Sequence, residues 1–545
     1  MSKDFSLIEM ISILKKEGMG DPKTLAFLEK MITVFEKKIN DNDSQYVKNL
    51  FEKSQFYKNQ NGESIIKEIN SIDENNQNQS NNIEKINQSE SLEQPNLQNR
   101  TSIDVSTMNK FIARGIIDKL RGGQPPSYGI RTYSVGLESV LSIIDSEQIE
   151  LLEHCGSSFM KIIEAPYGSG KTHFIYQFRE LTMTKTPGFA NVLITLDNKS
   201  TSIKDLAIIL IQIFQNIEFP KTIEQIEECI SNPVKCEEET GFIKQLRIFF
   251  EKKKQELQNQ NEFDKLKDKL IENVLNDSDN PSFSDAIIYL IDGILRNDFE
   301  IINDISNFLQ NKLDNTKMRK YNLRKITDEN AMLFLKSLIR FLKNLGYSGL
   351  VISFDENEVK VAMNDKNRRD DMKSIHTIFD SIYTFKLNNL IVLYSVPDKS
   401  QIVSSGYNAM ISRVSEEFSM ISPGNPWLNL EKIVKDTDDE YWKSNLRNIG
   451  RKIQRLYERG NEVKFDDSIM ITNYENITNV ALKFKRGEIA NKRSFIQKII
   501  RVFDELKLNP SKIFSEEDAR NLFTGKSTDD NQIDTNELKD EFENG

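Results

Sequence analysis

Cysteine and histidine are scarce in this 545-residue chain, at three each. Cys155, Cys229 and Cys236 show no CxxC or CxxH spacing, and His154, His173 and His376 are scattered. Too few ligands are grouped for a typical zinc site, and the cysteine pattern predicts a cytoplasmic protein with reduced thiols. Long apolar runs are missing too. No stretch of 18 uncharged apolar residues exists, so nothing is expected to span a membrane. The opening "MSKDFSLIEMISILKKEGMG" carries charges within its apolar stretch and lacks a small-residue cleavage site, which argues against a signal peptide. With only 13 prolines, 38% apolar and 29% charged residues, the chain reads as soluble, helix-rich and globular, long enough for two or three domains.

An excess of positive charge is also lacking, since the net charge is −10. From Phe514 onward, however, ten acidic residues stand against three basic ones, so the tail alone carries −7 and the body only about −3. The global sum therefore does not exclude nucleic-acid binding.

Residues 5–53 read as two short amphipathic helices, with "GMGD" as stop and cap and Pro22 at a first helical position. Too small to bury much area alone, this module (1–53) is expected to dock on the body or a partner. Residues 54–105 are a different material. Between Asn70 and Arg100, 14 of 31 residues are Asn or Gln, a composition that cannot offset its ordering entropy and reads as a tether. The body, 106–425, alternates strands and helices: "SFMKIIEA", "FANVLITLDN", "GLVISFDE" and "LNNLIVLYSVPD" are the strands, which predicts an α/β fold with a parallel sheet. A helical, charge-rich insertion occupies about 221–330. From Pro426 everything reads as helix, giving a C-terminal helical domain over 426–510 and a mobile acidic tail over 511–545.

What is there, chemically, is "APYGSGKT", Ala165 to Thr172, between an apolar strand and an amphipathic helix. In this pattern small residues let backbone N–H groups wrap phosphates. Ala165, Pro166, Tyr167, Gly168, Ser169, Gly170 and the following His173 would surround a nucleotide. Lys171 would neutralise the β- and γ-phosphates, and the Thr172 hydroxyl would ligate magnesium. The cofactors implied are ATP and Mg²⁺. "GLVISFDE" ends in two carboxylates: Asp355 would reach the metal and Glu356 would orient the attacking water. Ser395, at the end of "IVLYSVPD", is the candidate for sensing the γ-phosphate, with Tyr394 second. Arg413 suits a finger reaching a neighbouring subunit, and Arg493 a sensor arginine closing from the helical domain. Each has a plainer reading, respectively a strand-end acid or serine and a solvated helix charge.

In order, "ARGIIDKLRGGQPP", "YSVGLESVL", "EAPYGSGKTHFI" and "ISFDENE" resemble the ATP-binding proteins of the BREX phage-defence systems, a P-loop family similar to the initiator-type branch of the AAA+ ATPases. The likeness covers roughly 106–510, with "LRGGQPP" its more specific part. It implies an AAA+-like ATPase in a defence complex with a helicase or DNA-modifying partner. It also places Gly136 and Glu138 near the adenine, with Leu137 standing where the family usually has arginine.

Basic clusters that could hold DNA are Lys317–Lys325, with an interleaved tyrosine able to stack on a base, Arg368 with Arg369, and Arg451–Gly460. Two functions follow: a DNA-linked, oligomeric ATPase, or a slowly hydrolysing switch that assembles partners. Glu356 favours the first, and the weak basic surface the second. A metabolic kinase is a distant third, because no second substrate site can be named.

Overall fold

In a computed structural model of the chain, residues 103–525 are described except 167, 197–204, 258, 356–364, 385, 400–410, 413–414, 434–437 and 486–491, with the backbone alone at 365–372 and 485. The N-terminal module, nearly all of the Asn/Gln-rich tether and the last part of the tail lie outside the described residues.

The first helix, α1 (Lys110–Arg121), repeats its buried residues Ile112, Ile116 and Leu120 at helical spacing and is capped by Asn109, whose side chain accepts from Phe111 N. Gly122 and Gly123 end it. A 3₁₀ turn (Ile130–Thr132) leads to α2 (Glu138–Ile144), which passes through a π-helical turn into α3 (Glu150–Cys155). Strand β1 (Phe159–Glu164) then enters the glycine loop, helix α4 (Lys171–Met183) leaves it, and β2 (Phe189–Thr195) follows. Helix α5 (Leu206–Asn216) runs into the two-residue β3 (Ile217–Glu218).

Among the described residues, eight helices separate β3 from β4: α6 (Ile223–Ser231), α7 (Pro233–Glu238), α8 (Phe242–Glu256), α9 (Gln260–Asp277), α10 (Pro281–Arg296), α11 (Phe299–Leu309), α12 (Asn315–Lys320) and α13 (Asp328–Asn344). Their starts carry the expected signals. Thr222 and Gln225 form a capping box, and Asn280 caps α10 ahead of Pro281. After them come β4 (Gly349–Asp355), α14 (Asp365–Tyr383), β5 (Leu390–Val396), β6 (Trp427–Asn429), α15 (Leu430–Ile433), α16 (Asp439–Asn461), α17 (Asp467–Lys485), α18 (Lys492–Leu508) and α19 (Glu516–Thr524).

Among the described residues the sheet has six strands in the order β3-β2-β4-β5-β1-β6, and only the β2–β3 pairing is antiparallel. Every residue of β4 and β5 is buried, which is why these strands read as unbroken apolar runs and not as alternation. Strand β5 lies between β1 and β4, so Ser395 sits beside Ile163 and Tyr394 beside Phe354.

Apolar packing divides into three clusters. One joins a sheet face to α5 and the helices α8–α14, and a second joins the other face to α2, α3 and α4. In the third, α1 and α6 pack with α16, α17, α18 and α19. Helix α1, in sequence the start of the α/β body, thus shares its core with the C-terminal helices. Gly460 makes the approach possible, since a Cβ there would lie 3.1 Å from Arg114 N.

Four expectations are corrected. Residues 427–429 are not helical but a strand, parallel to β1. The run is too short for periodicity, and it is held by side chains from β1 described below. Cys229 and Cys236 are joined in a disulfide between α6 and α7, while Cys155 is free. The tail begins with a packed helix: Ser515 caps α19, and Ala519 and Phe523 enter the third cluster. Tyr321 cannot stack on a base. It is 2% exposed, and its hydroxyl and Lys317 Nζ both donate to the buried Asp304.

Candidate functional site

The glycine loop turns on two left-handed residues, Gly168 (φ +76°) and Gly170 (φ +101°), a region that side chains enter only at a cost. Gly170 stands at the N-cap of α4 without a side-chain cap, so the first N–H groups of the helix are left to face a ligand. Lys171, nearly buried, donates from Nζ to Ala165 O at 2.7 Å and Pro166 O at 3.1 Å.

A cavity of about 390 Å³ opens on this loop. Gly168, Ser169, Gly170, Lys171, Thr172, His173 and Asp355 belong to its lining. Leu120, Pro125, Val135, Leu137, Ile449 and Ile496 are among its apolar lining. Lys492 and Arg493, in the first turn of α18, line the same space. The third apolar cluster therefore supplies one side of the cavity and the sheet the other.

Asp355 ends β4 with 3% exposure and accepts at Oδ1 from Ser395 Oγ, 3.0 Å away. Ser395 is wholly buried and does not line the cavity, so it meets a ligand only through Asp355. Tyr394 is turned to the opposite sheet face, where its ring meets Phe354 edge to face. Gly136 is flanked by two lining residues, has φ +89°, and donates its N–H to Glu138 Oε2. Tyr167, Glu356 and Arg413 lie outside the described residues; Arg368 and Arg369 fall within α14, described by backbone alone. Arg319, Lys320, Arg324 and Lys325 of the Lys317–Lys325 cluster are exposed.

Several contributors had little or no sequence signal. Glu164, which precedes the loop, accepts from Trp427 Nε1 (2.7 Å), Asn429 Nδ2 (2.9 Å) and Lys399 N (3.1 Å), tying β1, β6 and the segment after β5 together. Lys161, buried in β1, donates to Pro423 O and Asn425 O; burial pulls its pKa down to about 7. On α4, Glu180 accepts from Ile130 N, and burial, partly offset by Arg131, raises its carboxyl to about 6. Arg179 pairs with Glu218 and with the Tyr128 hydroxyl. One polar face of α4 thus holds the segment 127–134 alongside the loop helix. His173 Nε2 lies 2.7 Å from Ser134 Oγ, and burial and then the charge of Lys492 push its pKa to about 3, leaving a neutral ring. Lys492 could have been noticed as the neighbour of Arg493 at a helix start.

Among the described residues no group of three His, Cys, Asp or Glu side chains could form a metal cage. Magnesium carried by nucleotide phosphates needs no such cage, only one or two protein oxygens, and Thr172 and Asp355, both in the cavity lining, fit that demand.

A strand, a left-handed glycine loop, a helix N-terminus and a buried carboxylate around one cavity define a nucleotide-binding α/β protein. The chain belongs to the family described as BREX system ATP-binding protein BrxC/D, which matches residues 108–520. Its role is accordingly ATP binding in anti-phage defence. Comparison with curated proteins and with solved structures gives no significant match. Among the described residues no helix is long and apolar enough to cross a membrane.

Proposed function

We propose that the chain is an AAA+-like, magnesium-dependent ATPase that couples turnover to DNA within a defence complex. The observation that carries this reading is the single cavity joining the glycine loop, Asp355 and the α18 cations. The strand order, with β5 between the loop strand and the acid-ended strand, supports the AAA+-like assignment.

In this reading the base lies against the apolar lining and the phosphates at the N-terminus of α4. Lys171 leaves its two carbonyl partners to neutralise the β- and γ-phosphates. Thr172 and Asp355 hold the magnesium, which would neutralise phosphate charge. Ser395 fixes the Asp355 carboxylate, Glu356 orients water and accepts its proton, and Arg493 with Lys492 contacts phosphate from α18. Loss of the γ-phosphate would release α18 and with it the third cluster. Arg413 completes the site of a neighbouring copy, and Arg319, Lys320, Arg324, Lys325, Arg368 and Arg369 are the candidate contacts to DNA phosphates.

ATP turnover of wild type and Glu356→Gln, each with and without duplex and single-stranded DNA, tests the proposal. Stimulation by DNA that vanishes in the variant supports it; turnover indifferent to DNA favours a second reading, a nucleotide switch that assembles defence proteins. The burial of Tyr321 and the pairing of Lys317 with Asp304 favour that second reading, because they remove two groups from the clearest basic cluster.

A further inference from the structure

We propose that His173 is a positioning residue that holds the phosphate end and the base end of the nucleotide cavity in register. This rests on the reading that a nucleotide occupies the cavity lengthwise.

The two ends belong to different pieces of chain. The glycine loop and Thr172 open α4, whereas the turn at Ile130 and the residues Val135 and Leu137 come from the segment before α2. His173 follows Thr172 directly, half-buried at the cavity wall, with its ring edge-to-face against Tyr133 at 5.4 Å. Ser134, 2% exposed, has one hydroxyl proton, and Oγ donates it to Ile130 O at 2.7 Å. The 2.7 Å contact with His173 Nε2 must then run the other way: Nε2 carries a proton and donates it to Ser134 Oγ. Ser134 O in turn accepts from Lys452 Nζ of α16. The ties through Arg179 and Glu180 lie roughly 10 Å further down the helix, at about 1.5 Å per residue. His173, itself part of the cavity lining, is therefore a tie level with the cavity.

Two weak half-sites held at the right spacing bind a molecule that spans both far better than either alone, because the second contact costs little further freedom. Cutting the tie should thus weaken ATP, which spans both, and spare a ligand confined to the phosphate end. A direct phosphate ligand, or a residue serving only the fold, would weaken both alike.

The test measures calorimetric affinities of the full chain for ATP and for inorganic tripolyphosphate in wild type, His173→Ala, His173→Gln and Ser134→Ala. Loss of a net hydrogen bond predicts about five- to tenfold weaker ATP binding in His173→Ala and Ser134→Ala, with tripolyphosphate within about twofold of wild type. His173→Gln, which keeps an N–H donor near the same place, should recover much of the loss. Equal ATP affinity in wild type and His173→Ala overturns the proposal, as does a parallel loss for both ligands or tripolyphosphate that fails to bind wild type. If His173→Ala does not fold, His173→Gln with Ser134→Ala decides by the same ratio. Wild type that binds tripolyphosphate but not ATP overturns the underlying nucleotide reading, a result distinct from any variant effect.

Discussion

Ser395 Oγ donates to Asp355 Oδ1 at 3.0 Å across neighbouring strands, with neither side chain more than 3% exposed. A buried carboxylate that loses such a partner loses its aim. Ser395→Ala is expected to lower magnesium-dependent turnover roughly 10- to 100-fold while leaving metal-free ATP binding within about twofold. A magnesium titration of hydrolysis, beside ATP binding in EDTA, checks it.

Lys171 and Glu356 should separate binding from chemistry. Lys171→Ala removes the cation at the head of α4 and is expected to weaken ATP by roughly tenfold or more. Glu356→Gln should bind ATP as wild type does and turn it over at least about a hundredfold more slowly. Equal ATP affinity in the Lys171 variant would be the contrary result, read by direct titration of nucleotide.

Gly123 tests how α18 is seated. Its φ is +72°, and a Cβ there would lie 2.6 Å from Gln497 Nε2. The amide can swing aside, but the backbone cannot avoid the left-handed cost. Gly123→Ala should lower stability by about 1–2 kcal/mol, and adding Gln497→Ala should not restore it. Thermal unfolding of the single and double variants distinguishes the two causes.

Glu180 gives the fold a pH dependence of definite sign. Burial raises its folded-state pKa from 4.5 to about 6. Between those values the folded protein holds more proton than the unfolded chain, so stability falls as pH rises, and above about 6 the full penalty, on the order of 2 kcal/mol, is in place. Glu180→Gln keeps an acceptor for Ile130 N and should flatten the curve between pH 4.5 and 6. Denaturant melts across that range measure it.

The glycine loop, its flanking strand and helix, and the acid-ended β4 were legible because each is local: a few adjacent residues carry both the geometry and the chemistry. Asp355 could be named from the end of an apolar run. The bond it accepts from Ser395 could not, since it depends on β5 lying beside β4. Trp427–Asn429 is too short to show a strand period and owes its place to Glu164, some 260 residues earlier. The Cys229–Cys236 pair has a spacing that no motif flags. Lys161 reads as an ordinary charged residue and only its neighbours, Phe159 and Phe418 with two carbonyls, explain its burial.

Helix α1 and helices α16–α19 complete one core, although roughly 300 residues of chain separate them. A ribosome delivers them in that order, so α1 emerges long before the helices that shelter its apolar face. The glycine loop and its sheet can form meanwhile, but the surface meant for the base cannot close until synthesis has passed α18. A chain stopped after β6 would keep the phosphate-facing half and lack Ile449, Lys492, Arg493 and Ile496. On the proposed reading, nucleotide capture thus becomes available only once the chain has passed α18, and the ligand itself would report that the last helices have come home to the first.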